Sequence, residues 1–430
     1  MRYYSTRNKN ERAVAFAHAA LAGLAPDGGL FVPETLPEYP QAVKTSLPAM
    51  SFHDIAFETI KPFVQGEISD AALEDMLYDA FNFDAPLVAV GDRYVLELFH
   101  GPTAAFKDFG ARFMARAFSY FRRNEDKPLR ILVATSGDTG GAVADGFFGV
   151  EGISVTVLYP KGRVSPLQER QIAGLGRNIS AFAVEGSFDD CQWLVKAAFA
   201  DEGLKKRVVL SSANSINIAR LVPQAVYYAT GAARAMAETG KQVVFCVPSG
   251  NFGNLTAGMY AREMGAPIRH FVAATNINKT VPDYLENGVY ESRASLPTIS
   301  SAMDVGAPSN FERMTGHWPL KRLCETLTGV FISDETTRET IKSVHNRNSR
   351  FLDPHTAVGW AALDALKSTG KITPDAPLGT LATAHPAKFA EIVEPLTGAI
   401  PVPPSLQKVM ERNVAAETIP ADVSALIERL

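Results

Sequence analysis

Three cysteines in 430 residues, Cys191, Cys246 and Cys324, are too few and too scattered to staple a fold. They form no C-x-x-C pair and their number is odd, which argues against a disulfide framework and against a cysteine-based zinc site, so reduced, mostly buried thiols and no metal are expected. Long apolar runs are missing as well. No segment approaches the ~18 consecutive apolar residues needed to cross a bilayer, and the opening MRYYSTRNKNERAVAF lacks the basic-then-apolar layout of a secretory signal. The expected setting is the cytoplasm, with no membrane partner. Charge of one sign is also absent: 42 Lys+Arg stand against 46 Asp+Glu, for a formal net charge of -4 with no dense basic run. That removes the positive field by which proteins hold polyphosphate backbones, and nucleic acid is not expected as a partner.

What the chain does have is size and apolar material. At 46% hydrophobic residues over 430 positions it exceeds one comfortable core, and two or three domains are expected. To about residue 95 the sequence reads as helices joined by loops. ERAVAFAHAALAG is Ala-rich and ends in glycine, whereas GEISDAALEDMLYDAF offers Ser69 as an N-cap ahead of Leu73, Leu77 and Phe81 at helical spacing. The run PETLPEYP between them is loop. From Tyr94 onward, short β-branched runs (YVLELF, RILVAT, ISVTVLY, ISAFAV, RVVLS, QVVFCV, IRHFVA) alternate with amphipathic stretches, which predicts βαβ units around a mostly parallel sheet. Residues 275–350 mix loop signals with the polar helix ETTRETIKSVHNR and are expected to form an excursion over the site. LGTLAT follows as one more buried strand, and PVPPS leads into a C-terminal tail.

Ligands of open parallel sheets gather beyond the carboxyl ends of strands, so the strand-to-helix junctions carry the functional information. After RILVAT come Ser136, Gly137, Asp138 and Thr139, small residues whose N–H groups at a helix start attract an anion, although they would equally make an ordinary capped turn. After QVVFCVP come Ser249, Gly250, Asn251, Phe252, Gly253 and Asn254. This loop lacks the Lys-Ser/Thr of Walker A and is not the dinucleotide G-x-G-x-x-G; it suits a single phosphate held by backbone amides. Lys107 follows YVLELF amid Ala104, Ala105, Phe106 and Phe109. Most lysines are simply solvated, but one in this setting can lose its proton and act as an amine nucleophile or base. Thr383 ends GTLAT ahead of AHPAKF, where it faces the same crevice or caps the next helix. An amine, a single-phosphate cradle and a second anion loop together point to pyridoxal 5'-phosphate and an amino-acid substrate.

From PDGGLFVPETLP near the start, through ELFHGPTAAFKDFGARFM, ATSGDTGGAVA, LYPKGRVSPLQERQ, SFDDCQ, SSANSINIARL, VPSGNFGNLTAG and SAMDVGAPSN, to TAHPAKF, the ordered motifs resemble those of threonine synthases of the branch with an extra N-terminal domain. The resemblance implies an α/β, fold type II pyridoxal-phosphate architecture of the tryptophan synthase β type. Residues 1–93 would be a mostly helical N-terminal domain, 94–400 a catalytic region of two parallel-sheet α/β domains, and 401–430 a tail. It also implies conversion of O-phospho-L-homoserine and water to L-threonine and phosphate by a monomer or weak homodimer. By motif, Lys107 resembles the Schiff-base lysine, Phe106 its packing neighbour, Gly250, Asn251, Phe252, Gly253 and Asn254 the cofactor-phosphate loop, and Thr383 the group facing the pyridine nitrogen. Ser136, Gly137 and Thr139 resemble the substrate-carboxylate loop, with Asn214 near the substrate. Asp138 falls where related enzymes contact the ring hydroxyl oxygen, many of them with Asn. An ionised Asp there would be repelled by a phenolate, so either a proton is shared or the side chain points away. For the substrate phosphate, Lys161, Arg163 and Arg170 are the candidate cations, Arg170 foremost, although charges on such a loop are equally at home in water. Another fold type II lyase such as a threonine dehydratase or a sulfhydrylase, and a catalytically inactive homologue, are the competing readings.

Overall fold

The structure, a computed structural model, describes residues 1–8, 12–370 and 375–430. Its strands are β1 (Tyr3–Ser5), β2 (Phe31–Pro33), β3 (Leu87–Val90), β4 (Arg93–Glu97), β5 (Leu129–Ala134), β6 (Ile153–Pro160), β7 (Ile179–Glu185), β8 (Val209–Ser212), β9 (Val243–Pro248), β10 (Ile268–Thr275), β11 (Leu327–Phe331), β12 (Leu378–Ala382) and β13 (Glu417–Pro420). They form a six-stranded sheet in the order β11-β10-β9-β12-β4-β3 and a five-stranded sheet in the order β13-β7-β6-β5-β8. Every pairing in the two sheets is parallel except the hairpin of β3 with β4. Parallel neighbours need crossover connections, and helices supply most of them. Helix Pro354–Ser368 packs Val358, Ala362 and Leu363 on the face of β9 and β10 that carries Val244, Cys246 and Val272. β9 is buried at all six positions, as a strand covered on both faces must be. The second sheet is covered in the same way by helix Phe188–Ala200, through Cys191, Leu194 and Val195.

Helix Lys107–Arg122 sits at the centre of the largest core, with Phe109, Phe113, Met114 and Phe118 all fully buried. Gly110 on this helix lies so close to the short helix Ile218–Leu221 that a Cβ there would stand 2.7 Å from the Arg220 carbonyl oxygen. That close approach brings Arg220 and Lys107 to one cleft.

The N-terminal helices Phe16–Ala22, Phe52–Val64 and Asp70–Ala80 match the expected helical character, and Ser69 caps the last by accepting from the Ala72 N–H. The first residue of the ERAVAFAHAALAG stretch, Glu11, lies outside the described residues. Four features depart from the sequence reading, the first being β3, which lies in the stretch read as helices and loops yet forms the edge of the six-stranded sheet beside β4. The region read as helices and loops contains the antiparallel ribbon β1–β2, tied down where the buried Tyr3 hydroxyl donates to the Phe63 carbonyl at 2.8 Å. The 275–350 excursion contains β11, which extends the six-stranded sheet. The tail is a docked element: β13 pairs with β7 and buries Ile419, and the helix Val423–Ile427 that follows buries Leu426, both beside helix Phe188–Ala200.

Candidate active site

Loops from the carboxyl ends of both sheets converge on one cleft. β4 leads to Phe106 and Lys107, β5 to Ser136, Asp138 and Thr139, β8 to Ser215 and Arg220, β9 to Pro248–Asn254, and β12 to Thr383; Ser301–Met303, His355 and Gln168 complete the wall. The cleft opens to solvent at its mouth.

Lys107 opens its helix from a loop locked in place on both sides. Ala104 sits at φ 54°, a sparsely populated conformation for a residue with a Cβ, Ala105 bridges Ala384, and the Phe106 N–H donates to the Thr383 carbonyl at 2.8 Å. The Lys107 Nζ lies 4.7 Å from the centre of the Phe106 ring and 3.7 Å from Asp138 Oδ2. Burial draws its pKa below the ordinary lysine value against the pull of Asp138, and the charges of Lys388 and Arg220 add to the depression.

Asp138 lines the cleft and faces Lys107. Its carboxylate is buried, receives Lys388 Nζ at 2.7 Å on Oδ1, and accepts from Gln168 Nε2 at 3.1 Å. Burial alone would push its pKa up, but the Lys388 and Lys107 charges outweigh it and hold the group far below the usual carboxylate range. Lys388 lies in the AHPAKF stretch but was not among the expected site residues; its side chain is fully buried and also donates to the Thr103 carbonyl at 2.9 Å. Asp138 thus has two ammonium groups beside it, Lys107 on one oxygen and Lys388 on the other.

The loop after β9 is a cradle that side chains would fill. A Cβ at Gly250 would stand 2.7 Å from the Ala302 carbonyl oxygen and 2.8 Å from Met303 Cα. Phe252 takes up the left-handed conformation at φ 60° as the cap of helix Gly253–Met264, its ring edge-on to Phe311. Asn251 is anchored, donating to Ser215 Oγ at 2.6 Å and accepting from the Ser309 N–H. Asn254 Oδ1 takes both the Tyr227 and Tyr228 hydroxyls, at 2.6 and 2.7 Å, which leaves its buried Nδ2 donor without a partner among the described residues. An orphaned buried donor beside the N–H groups of a helix start fits an anion such as one phosphate.

The loop after β5 is equally shaped. Gly137, at φ 144°, lets Gln168 lie where a Cβ would be only 2.5 Å from that side chain. The Thr135 hydroxyl accepts the Gly137 and Gly140 N–H groups and fixes the turn. Ser136 and Thr139 face the cleft. Asn214 does not line it; the next residue, Ser215, does.

None of the three expected phosphate cations lines the cleft. Lys161 and Arg163 are exposed, Lys161 pairing with Glu185 at 3.1 Å, and from the helix that carries Arg170 (Pro166–Ala173) it is Gln168 that reaches the wall. Besides Lys107, a cation that does line it is Arg220, 2% exposed, with one N–H donated to the Ala213 carbonyl and Nε unpartnered among the described residues. Its signal was an Arg inside the apolar stretch INIARL. His355 is the other wall residue not anticipated. Asp353 holds its Nδ1 at 2.8 Å, and Nε2 accepts the Ala302 N–H, pinning Ser301–Met303 against Gly250. Among the described residues no group of three or more His, Cys, Asp or Glu could hold a metal, and no helix is long and apolar enough to cross a membrane.

Comparison with known proteins matches this geometry. Residues 89–384 match the family described as pyridoxal-phosphate dependent enzyme, 2–81 the threonine synthase N terminus, and 356–429 the threonine synthase C-terminal region. Threonine synthase of Escherichia coli is 42% identical over 434 residues, covering 99% of this chain and 98% of that protein, and a crystal structure of threonine synthase from Escherichia coli superposes with a TM-score of 0.91 over 100% of this chain and 99% of that one. A pyridoxal-phosphate-bound threonine synthase from Brucella melitensis, 37% identical, superposes at 0.92 over 100% and 98%. Threonine deaminase isoform 2 of Solanum lycopersicum, at 16% identity and a TM-score of 0.56 over 78% of this chain and 95% of that one, shares the fold alone. The chain uses pyridoxal phosphate and belongs to the threonine synthase family of fold type II lyases.

Proposed function

We propose that the substrate is O-phospho-L-homoserine, and that the chain returns L-threonine and phosphate from it and water. The observation that carries this reading is Arg220, a buried guanidinium with a free donor in a cleft that already has a separate cradle for the cofactor phosphate. A site built for a second phosphate explains why burial of that charge is tolerated.

In this reading Gly250, Asn251, Phe252, Gly253 and Asn254 hold the cofactor phosphate, Phe106 packs beside the ring, Thr383 faces the pyridine nitrogen and Asp138 the ring hydroxyl. When bound, pyridoxal phosphate supplies the electron sink for charge released at the substrate's Cα and Cβ. The chain's own groups do the rest. Ser136, Gly137 and Thr139, with Ser215, hold the substrate carboxylate, while Asn214 supports that turn by accepting the Asn217 N–H on its carbonyl. Lys107 Nζ, its pKa lowered by burial, takes the proton from Cα and then from Cβ. Arg220 steadies the phosphate as it leaves Cγ, Lys107 returns one of the two protons to Cγ, water adds its hydroxyl at Cβ while its proton ends on the released phosphate, and Lys107 returns the second proton to Cα. Ser301–Met303, pinned by His355, restricts water to one side of the cleft.

Supplying phosphohomoserine, threonine and O-acetylserine in parallel and following phosphate, ammonia and acetate separates this reading from its rivals. Phosphate release from the first alone is expected; ammonia from threonine as the dominant product would favour a dehydratase. Gly250→Ala should weaken cofactor retention by about 1–3 kcal/mol, because the added methyl forces the loop off Ala302 and Met303. Equilibrium dialysis of the cofactor measures this, and unchanged affinity would remove the close approach from the account.

We further propose that the chain works in the cytoplasm as a monomer or weak homodimer. The division at 1–93, 94–400 and 401–430 is likewise our reading, with the last segment docked through β13.

A further inference from the structure

Lys388, held against Asp138 of the cleft wall, is an ionic group with no task in the reaction just described. It lies on the turn Pro386–Phe389 after β12, its side chain has no solvent exposure, and its ammonium touches Asp138 Oδ1 at 2.7 Å and the Thr103 carbonyl at 2.9 Å. A methionine would fill much the same space, and burying an ammonium is costly unless the charge itself is needed.

The need arises at Lys107. That residue must shed its proton to act as a nucleophile and base, yet Asp138 stands only 3.7 Å away. If Lys107 were the sole counter-ion, each loss of its proton would strand a bare carboxylate in a buried site, and Asp138 would pin the ammonium form. With Lys388 on the opposite oxygen, Asp138 is balanced whichever form Lys107 takes. The other charges around Lys107 do not substitute. Arg220 is a further cation. Asp108, next to Lys107 on its helix, is occupied by the Thr103 N–H and hydroxyl and is pushed up to about 7 by burial. Asp145 faces Arg112 at 3.8 Å, and His355 is paired with Asp353.

Resting on the reading of Lys107 as the reactive amine, we propose that Lys388 is a positioning residue: the permanent counter-ion of Asp138, which frees Lys107 to cycle between ammonium and amine. The test uses the full-length chain and follows Lys107 itself. Competitive acetylation across pH of the full-length chain stripped of cofactor, which otherwise occupies this amine, read by peptide mass spectrometry, gives the titration of Lys107 without any substrate, so it decides the matter even if phosphohomoserine is not the substrate. The acidic limb of phosphate release by the holoenzyme is the second readout.

Lys388→Met should raise the Lys107 pKa by about 1–3 units and carry the acidic limb upward with it, because an attraction is unshared and a repulsion removed. Lys388→Arg, which keeps the charge, should leave both near wild type. Adding Asp138→Asn to Lys388→Met should bring the Lys107 titration back down. An unchanged Lys107 titration in folded Lys388→Met, or a double variant shifted as far as the single one, overturns the proposal. If Lys388→Met does not fold, Asp138→Asn alone decides: the Lys107 pKa must fall below wild type, and no fall overturns the assignment.

Discussion

A Lys107→Ala variant is expected to form threonine at least about 10⁴-fold more slowly than wild type and to hold no cofactor covalently after borohydride reduction. The size follows from the number of tasks assigned to one amine: attachment of the cofactor and successive proton transfers at Cα and Cβ. The fold should survive. Lys107 is a buried cation whose pKa is already depressed by desolvation, and its removal still leaves Asp138 paired with Lys388 at 2.7 Å. A melting temperature near wild type together with lost turnover is the expected pair of results. Residual turnover within tenfold of wild type would mean that another group is the base.

Arg220→Met is expected to separate activity from stability in the same way, by a different route. The wild-type guanidinium is buried with a donor unpaired and donates to the Ala213 carbonyl, so its removal relieves a desolvated charge at the cost of one hydrogen bond. Stability should hold or rise. The substrate phosphate, by contrast, loses charge-assisted bonds worth about 3 kcal/mol or more together, so kcat/KM should fall at least about 100-fold. Product inhibition by inorganic phosphate should weaken in parallel. Steady-state kinetics with a phosphate titration checks both, and an unchanged kcat/KM would move the phosphate site elsewhere in the cleft.

The elements that could be read from the sequence are those whose environment is uniform along their length. β9 and β12 are buried at every position, β5 and β6 at all but one, and β10 from Phe271 onward, and they appear as mainly apolar, β-branched runs. β11 and β13 escaped because an edge strand is half solvent-facing: β11 carries Gly329 packed on Pro282, and β13 buries only Ile419. β1 and β2, three residues each, are too short for a period and owe their pairing to contacts made 28 positions apart. In the site, Lys107 and the two glycine loops were legible because local sequence shapes them. Lys388 and Arg220 were not. A buried cation is indistinguishable in sequence from a solvated one until the fold brings up its partner, which for Lys388 is a carboxylate 250 positions earlier. Arg170 was the converse error: a cation near the right motif, on a helix that presents Gln168 to the cleft instead.

The central claim is that the substrate's Cγ–O bond breaks and that water adds at Cβ. Turnover of O-phospho-L-homoserine in ¹⁸O-enriched water, with both products analysed by mass spectrometry, tests it directly. The account predicts threonine carrying one ¹⁸O in its hydroxyl group and phosphate released with none. Label in the phosphate, with unlabelled homoserine as the other product, would show cleavage at phosphorus and contradict it.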